Sequence, residues 1–287
     1  MRPRNEWAET TDGRPDLLTT HDSPRMRAAR EVLADWRAGL INYRIWWRLG
    51  LLDVKLRYRR TLLGPFWVTL SFGGSAAALT LVYATLFKLS TGSYFAYVIS
   101  GLAVWGLMAN MITQGCTTFV RNGLLIQHQP LPLSLHPLRS VVSEFLVFVH
   151  NLLVVAVALA ASGVGLGWAT LVALPAVAML LINGVWVTLL LGMLCARFRD
   201  LPQAVTMLVN IAFLVTPVFW YRQMLADRAY LVDLNPLHAF LECLRSPLLG
   251  ELPALASVWM VLVVTAAGWL LTFLVALRIQ SRIPYWL

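Results

Sequence analysis

Charged side chains are scarce in this sequence. Asp, Glu, Lys and Arg make up 13% of its 287 residues, whereas hydrophobic residues make up 59%, and the mean hydropathy is +0.68. A soluble globular domain carries roughly 25% charged residues. The composition therefore excludes a soluble protein and predicts an all-α integral membrane protein.

The charge that is present is mostly positive, but its distribution argues against nucleic-acid binding. The net charge is +9, and 13 of the 23 Lys and Arg residues lie in the first 60 positions. The hydrophobic remainder offers no soluble basic domain. We therefore interpret the basic residues as topology signals and as partners of lipid headgroups, and we expect membrane lipids but no nucleic acid as partners.

Residue patterns for catalysis, metal binding and nucleotide binding are missing as well. The cysteines Cys116, Cys195 and Cys243 form no CxxC pair and lie in or beside apolar segments, where a buried role is usual. No Gly-x-Ser-x-Gly or His-Glu-x-x-His motif occurs, and neither Lys55 nor Lys88 lies in a Gly-rich phosphate loop. We expect no catalytic residue, metal or cofactor in this chain, so the energy for any transport must come from elsewhere.

Residues 1–39 contain no apolar run, so we expect no cleaved signal peptide. Their polar, proline-containing composition predicts a cytosolic tail that is disordered to about Ser23. A short helix from Pro24 to Trp36 is expected to follow. The role of this tail stays open.

Residues 40–63 predict an amphipathic helix that lies on the membrane surface. At helical spacing, one apolar stripe is formed by Ile45, Leu49, Leu52 and Leu56. A different face carries the basic residues Arg37, Arg44, Arg48, Lys55 and Arg59. A helix of this kind lies among anionic headgroups. Gly64-Pro65 ends it, because proline cannot continue the hydrogen-bond ladder and restricts the residue before it.

Residues 64–287 predict a domain of six transmembrane helices, because six apolar runs reach or approach the ~20 residues that span a bilayer. They run from Pro65 to Phe87, Tyr94 to Phe119, Pro137 to Ala161, Ala169 to Leu194, Pro202 to Phe219 and Leu255 to Leu277. Nineteen cations fall on the side that carries residues 1–60, and four fall on the other side. The positive-inside rule therefore predicts that both termini are cytoplasmic.

The segment between the fifth and sixth runs has an unusual pattern. An aromatic group, Phe219-Trp220-Tyr221, is followed by the apolar stretches Leu231–Leu234 and Leu237–Leu249, which Pro236 and Pro247 interrupt. Both stretches are too short to cross a bilayer, and such runs are typical of re-entrant or interfacial helices. Shielded half-helices of this kind favour a transport pathway over a simple anchor.

A few polar residues lie inside the predicted spans. Glu144 lies about two turns into the third span, where Arg139 could reach it, so either a structural or a transport role is open. Four further residues are expected to act mainly as interhelical hydrogen-bond partners: His150, Asn151, Asn183 and Asn210.

The connector from Arg121 to Ser140 predicts a short amphipathic helix from Arg121 to Gln129, stopped by Pro130 and Pro132. Its apolar residues would be exposed unless something covered them: Leu124, Leu125 and Ile126. A docking surface for a cytosolic partner and a helix lying on lipid bury the same face, so both interpretations stay open here.

Five sequence motifs, in matching order from about Trp36 to Leu287, resemble those of ABC-2 type permeases that export polysaccharides. These motifs are LRYRRTLLGPFW (56–67), RNGLLIQHQPLP (121–132), RFRDL (197–201), TPVFW (216–220) and LNPL (234–237). The ending RIPYWL (282–287), together with LGPFW, is similar to the O-antigen and galactan branch of that family. Residues 1–35 lie outside the resemblance.

The resemblance implies a homodimer in a bacterial inner membrane, joined to two copies of a cytosolic ABC ATPase that bind ATP and magnesium. The cargo would be a polyprenyl-pyrophosphate-linked polysaccharide. A coupling helix at 121–132 would seat in the ATPase through Arg121, Asn122, Leu124, Leu125, Gln127 and Pro130. The substrate's pyrophosphate would be recruited at Arg57, Arg59, Arg60, Leu63 and Gly64.

The same resemblance places periplasmic gate helices at residues 221–250. Residues of the channel and gate would be Tyr83, Phe87, Trp220, Tyr221, Asn235 and Pro236. Alternatives remain for both sites. The arginines could anchor to lipid headgroups, and aromatics such as Tyr83, Phe87, Tyr94 and Trp220 could pack in a membrane belt instead of stacking on sugars.

Two other functions fit the sequence. The chain could be a membrane-embedded enzyme, such as a transferase, acting on a lipid-linked substrate, which would need carboxylates, a histidine or a metal at one membrane face. It could also be an ABC-2 exporter of a small molecule.

Overall fold

The computed structural model describes residues 24–59, 66–163, 165 and 167–287, and in this part of the chain every regular element is helical, as predicted. Its α-helices are α1 (Pro24–Ile41), α2 (Tyr43–Arg57), α3 (Phe66–Phe87), α4 (Thr91–Arg121), α5 (Gly123–His128), α6 (Leu135–Ala161), α7 (Ala173–Arg197), α8 (Leu201–Val215), α9 (Tyr230–Asp233), α10 (Pro236–Leu248), α11 (Leu255–Ile279) and α12 (Ile283–Trp286). Short 3-10 helices occupy Trp168–Val172, Arg222–Arg228 and Gln280–Arg282.

Five helical segments of the described chain are long and apolar enough to cross a membrane. They are Phe66–Phe87, Thr91–Arg121, Leu135–Ala161, Trp168–Arg197 and Leu255–Trp286. These segments correspond to the first four predicted spans and the sixth. The chain is therefore a multi-pass membrane protein with several apolar helices.

The fifth predicted span is a shorter helix, α8, of 15 residues. At 1.5 Å per residue it is about 22 Å long, less than the hydrocarbon core. It ends at Val215 because Thr216 takes an extended conformation (φ −87°, ψ 134°) before Pro217. That α8 crosses the membrane, which would bring the crossings to six, thus stays a prediction.

Helix α4 is the centre of the bundle and packs against α3, α6, α7, α8 and α10. Glycines let α4 and α7 approach closely: a Cβ atom on Gly115 would lie 2.8 Å from Thr188 Cα, and one on Gly184 would collide with Met111. Small residues at such contacts are typical of helix packing in membranes, where van der Waals contact holds helices together.

One end of the bundle gathers the cation-rich connectors, and we call it the basic end (residues 24–59, 121–140, 197–200 and 278–287). There α1 packs against α6 and α11. Asp35 accepts hydrogen bonds from the Leu133 and Ser134 amides over 2.7 and 3.0 Å, and Trp36 meets Trp269 edge-on at 5.4 Å. The boundary predicted between residues 39 and 40 falls inside α1. Residues 1–23 of the predicted tail lie outside the described residues.

The predicted re-entrant segment forms a compact cap at the other end. Pro236 occupies the first turn of α10, where its missing amide hydrogen costs nothing, and Asn235 Oδ1 accepts from the Leu237 amide over 3.0 Å. Pro247 lies in the last turn of the same helix. Helix α10 has 13 residues and α9 has four, so neither crosses a bilayer alone. How deep they enter the membrane stays a prediction.

Candidate functional site

Helix α2 lies directly against α6 at the basic end. A Cβ atom on Gly50 would lie 2.8 Å from Val142 Cγ1, so only a glycine allows this approach. The Ser143 hydroxyl also donates to the Gly50 carbonyl over 3.2 Å. Gly50 and Val54 are the buried residues of α2. The side of α2 that faces protein is therefore narrow.

The predicted apolar stripe of α2 points away from the bundle. Ile45, Leu52 and Leu56 are 37%, 45% and 51% exposed. The basic residues of the other face are exposed as well: Arg44, Arg48, Lys55 and Arg59. One apolar and one cationic face are thus both free, which is the arrangement that a helix between lipid and water requires.

Two ion pairs fasten α2 to α6. Arg57 donates to Glu144 Oε1 over 2.7 Å, and Glu144 is only 2% exposed. One turn earlier, the Asp53 carboxylate accepts from Arg139 Nε and Nη2 over 2.6 and 2.5 Å. A buried carboxylate is stable only with a partner of this kind.

The pairing predicted between Arg139 and Glu144 is therefore wrong. Five residues separate the two along α6, which at 3.6 residues per turn places them about 140° apart around the helix. Arg139 turns instead to Asp53, and its remaining nitrogen, Nη1, donates to Asn122 Oδ1 over 3.0 Å. Asp53, the one acid among six basic residues in 42–60, was the available signal for this pair.

A polar cavity of about 390 Å³ opens between α2, α4 and α6 beside these pairs. Its charged lining consists of Asp53, Arg57, Arg121, Arg139 and Glu144. These groups sum to one excess positive charge. The cavity has room for several water molecules, and polar surroundings of this kind normally hold water.

Two of the five predicted pyrophosphate-recruitment residues lie in the described chain. Arg57 is at the end of α2 with its guanidinium already bound to Glu144, whereas Arg59 is exposed in the turn that follows. Arg60, Leu63 and Gly64 lie outside the described residues. The structure therefore places Arg57 and Arg59 at the basic end and gives Arg57 a structural contact with Glu144.

The predicted coupling segment forms α5, which is shorter than the predicted range of 121–132. It stops at His128 because Gln129 is extended (φ −127°, ψ 130°) before Pro130. Leu124 is 77% exposed, whereas Ile126 packs into the core of the basic end with Leu287. Of the predicted contact residues, Arg121, Gln127 and Pro130 are exposed and Leu125 is half-buried.

Asn122 connects α4 to α5, and its side chain is fixed on both sides. Its Nδ2 donates to the Thr118 carbonyl over 2.7 Å, while its Oδ1 accepts from Arg139. Arg121 donates to Oε1 of Gln114, which lies about two turns earlier in α4. The start of α5 is thus attached to α6 by a side-chain contact.

The opposite end of the bundle is an aromatic cluster, which we call the aromatic end (Tyr83, Phe87, Tyr94, Tyr97, Phe219 and Tyr221). The Tyr83 ring lies 5.0 Å from Phe219 and 5.6 Å from Phe87, and Tyr97 lies 4.2 Å from Tyr221. Three predicted channel residues, Tyr83, Phe87 and Tyr221, are therefore brought together and partly exposed.

Other predicted channel and gate residues have structural contacts. Tyr94 is fully buried and its hydroxyl donates to the Phe219 carbonyl, so it belongs neither to a sugar-facing surface nor to a membrane belt. Trp220 Nε1 donates to the Leu214 carbonyl over 3.3 Å. Asn235 and Pro236 begin α10, and Asn235 Nδ2 donates to the Thr216 hydroxyl over 3.0 Å.

Arg245 is the residue that sequence reasoning missed at this end. It is 6% exposed, its guanidinium lies 4.1 Å from the centre of the Tyr97 ring, and its Nη1 donates to the Pro217 carbonyl over 2.7 Å. Gly101 makes room, since a Cβ atom there would lie 2.6 Å from the Val218 carbonyl oxygen. The sequence signal for this role was that Arg245 is the one Lys or Arg within the apolar stretch Leu237–Leu249.

Inside the bundle, polar residues are used for helix packing. Asn183 donates to the Thr265 hydroxyl over 2.8 Å and so makes the interhelical bond predicted for it, between α7 and α11. His150 Nδ1 contacts the Leu146 carbonyl of its own helix at 2.7 Å. The described residues hold no group of three His, Cys, Asp or Glu side chains that could bind a metal ion.

The profile of the family described as "ABC-2 type transporter" matches residues 46–249. An "O-antigen export system permease protein RfbA" from Klebsiella pneumoniae is 27% identical over 192 residues, which is 64% of this chain and 72% of that protein. A second protein of the same name and organism is 23% identical over 239 residues, or 81% of this chain and 89% of that protein. The matched region includes α2 from Trp46 onward, α5, the aromatic end and α10.

Proposed function

Because this chain belongs to the ABC-2 type transporter family, we propose that it is the membrane permease subunit of an ATP-driven exporter whose cargo is a polysaccharide of O-antigen type carried on polyprenyl pyrophosphate. The observation that carries the proposal is the similarity over most of the chain to two proteins named as O-antigen export permeases. The family implies an ABC transporter with a partner ATPase, which we propose binds ATP and magnesium as a separate cytosolic subunit.

The exposed surface of α5 supports a docking site for that ATPase. Leu124 projects from the basic end at 77% exposure, and Gln127 and Pro130 are exposed beside it. A partner that covers Leu124 and these polar neighbours would remove the apolar Leu124 side chain from water. We propose that α5 seats in the ATPase and that the basic end, with both termini, is cytoplasmic in a bacterial inner membrane.

We propose that α8 and the residues after it cross the membrane as the fifth predicted span, which brings the number of crossings to six. The helix starts next to Arg197 and Arg199 at the basic end, and Pro217 and Phe219 contact Tyr97 and Tyr94 at the aromatic end. The chain therefore runs from one end of the bundle to the other, although only part of it is helical. None of the residues of α8 is buried in the single chain.

Unburied apolar helices also support a homodimer with a channel between two copies. Only 17% of the most apolar stretch of α3 is buried. In α8, the side chains of Leu208, Ile211 and Leu214 are at least 50% exposed. Lipid or a second copy can cover these faces. We propose that part of them lines the dimer channel, with the exposed edges of Tyr83, Phe87 and Tyr221 available to sugar faces.

We propose that α2 recruits the lipid-linked end of the cargo from the inner leaflet. Its apolar stripe and its cations are both free, so the helix can lie in the headgroup layer where the pyrophosphate is found. Arg59 is exposed and able to bind phosphate oxygens, as guanidinium groups do. The substrate would then pass from α2 into the channel.

A strain that lacks this chain tests the proposal. We expect it to lose surface glycan and to accumulate the lipid-linked glycan inside, and we expect the chain, expressed with its ATPase, to restore export. A variant ATPase that cannot hydrolyse ATP is the control, and it should not restore export. Normal surface glycan with altered efflux of a small molecule would contradict the cargo. Sugar transfer by the purified chain alone would support an enzyme instead.

A further inference from the structure

Three parts of the chain meet at one side chain, Arg139 of α6. Its Nε and Nη2 donate to Asp53 of α2, and its Nη1 donates to Asn122 in the turn between α4 and α5. We call this group the Arg139 junction (Asp53, Asn122 and Arg139). The guanidinium is planar and its donors point in fixed directions. Asp53 and Asn122 therefore cannot move apart unless one of these bonds breaks.

The two sides of the junction are each firmly built. Asn122 is the single residue between α4 and α5, and its bond to the Thr118 carbonyl fixes the orientation of its amide. On the other side, the close contact at Gly50 and the pair between Arg57 and Glu144 hold α2 on α6. A displacement at α5 is thus delivered to the junction rather than lost in loose side chains.

The junction is also able to move as one group. The side chains of Asp53 and Arg139 are 29% and 17% exposed, and the polar cavity of about 390 Å³ adjoins them. Water in this cavity can rearrange around the three residues while they keep their contacts with each other.

We infer that Arg139 is the positioning residue through which movement of α5 reaches α2, so that the ATPase-docking helix and the substrate-recruitment helix change position together. This inference rests on the proposed function of α5 and α2. When the ATPase moves α5, Asn122 turns, and Arg139 carries the displacement to Asp53 because both bonds are made by one rigid group.

Asn122→Ala is the sharpest variant, because it removes the α5 side of the junction and leaves the pair between Asp53 and Arg139. In proteoliposomes that hold the chain with its ATPase, we expect the amount of glycan exported per ATP hydrolysed to fall at least about fivefold, the lower end of ordinary coupling between sites. Asn122→Asp keeps an acceptor for Arg139 and should restore most of the ratio. An unchanged ratio in Asn122→Ala would overturn the inference.

Gln114→Ala is the matched control. It removes an amide that also accepts from an arginine, Arg121, but this bond lies within α4 and does not connect α5 to α2. We expect the export ratio of this variant to equal that of the parent. If the export ratio of Gln114→Ala fell as far as that of Asn122→Ala, any lost side-chain bond near the end of α4 would have the same effect. That result would overturn the role of Arg139.

A distance measurement separates this inference from the proposed cargo. Spin labels at Lys55→Cys on α2 and Leu171→Cys near the aromatic end report movement of α2, and labels at Gln127→Cys and Leu171→Cys report movement of α5. Cys243 is replaced by Ser so that it does not react with the label. Cys116 and Cys195 are buried and can stay. We expect ATP to shift both distances in the parent but only the α5 distance in Asn122→Ala.

Each outcome has one meaning. If α2 still moves in Asn122→Ala, or if ATP moves neither helix in the parent, the inference is wrong whatever the cargo is. If the expected shifts occur while no glycan is exported by the parent, the proposed cargo is wrong and the role of Arg139 stands.

Discussion

The two ends of the bundle each contain an arginine where separate parts of the chain meet, but these arginines are stabilised differently. Arg139 at the basic end binds a carboxylate and stays partly exposed. Arg245 at the aromatic end is 6% exposed, lies over the Tyr97 ring and donates to a carbonyl oxygen. Within the described part of the chain, no carboxylate lies at ion-pair distance from Arg245.

This difference indicates which end can move. A partly exposed ion pair can separate because water and salt replace the partner. A buried guanidinium has no such replacement, so pulling it away from the ring and the carbonyl would leave polar groups unsatisfied. The basic end is therefore suited to rearrange, whereas the aromatic end is suited to hold the turn at Pro217 in place.

The largest expected effect comes from breaking the aromatic end. Tyr97→Leu should lower the free energy of unfolding by about 3 kcal/mol, since it removes a desolvated cation–π contact of about 2 kcal/mol and a hydroxyl hydrogen bond of about 1 kcal/mol. Tyr97→Phe keeps the ring and should cost only about 1 kcal/mol. Unfolding of both variants in the same detergent measures the difference. Equal losses would mean that the ring does not stabilise Arg245.

A smaller effect is expected at the basic end, from Arg57→Gln. This change leaves the buried Glu144 carboxylate without its partner, and we expect a loss of about 2 kcal/mol, less than for a fully buried pair because the Arg57 side chain is 33% exposed. Adding Glu144→Gln should recover most of that stability. Unfolding measurements on the single and double variants check this prediction.

Export by the same double variant tests what Arg57 does for the substrate. If Arg57→Gln reduces export and Glu144→Gln restores it, Arg57 acts through the fold. If stability returns but export does not, Arg57 also binds the pyrophosphate. Arg59→Gln is the comparison variant: it removes a proposed phosphate contact while Glu144 keeps its partner, so we expect it to reduce export without loss of stability.

The helices could be predicted from the sequence more completely than the contacts between them. Apolar length is a local property, so the first four spans and the last one agree with α3, α4, α6, α7 and α11. The start of α10 at Asn235-Pro236 also follows from a local rule, whereas the fifth span was predicted to run to Phe219 and its helix stops before Pro217. Chain length alone could not decide whether α8 completes a crossing.

The pairings at the site depend on how the helices are rotated against each other, which the sequence does not state. Only Arg139 was considered from the sequence as a partner of Glu144, whereas the packing of Gly50 against Val142 brings Arg57 to it from α2. Likewise, the aromatic residues near Trp220 predicted a belt or a channel, whereas the turn at Pro217 buries Tyr94 in the core. Tertiary packing decided both cases.

The smallest effect on stability is expected at the exposed ion pair between Arg222 and Asp233. This pair tests whether burial, or the presence of a carboxylate partner, determines how much an arginine such as Arg139 or Arg245 stabilises the fold. Arg222 donates to Asp233 and holds the pKa of that carboxyl below its usual range, yet the two side chains are 44% and 48% exposed. A depressed pKa contributes stability above the ordinary value, and this is lost as the pH falls through the depressed value. Asp233→Asn should therefore change the free energy of unfolding by less than about 0.5 kcal/mol at neutral pH and abolish that acid dependence. Unfolding followed from neutral to acid pH measures both. A larger loss of stability at neutral pH would mean that a second copy covers this pair in the assembled protein. Only burial could make the pair contribute as much to the free energy of unfolding as Arg245 does.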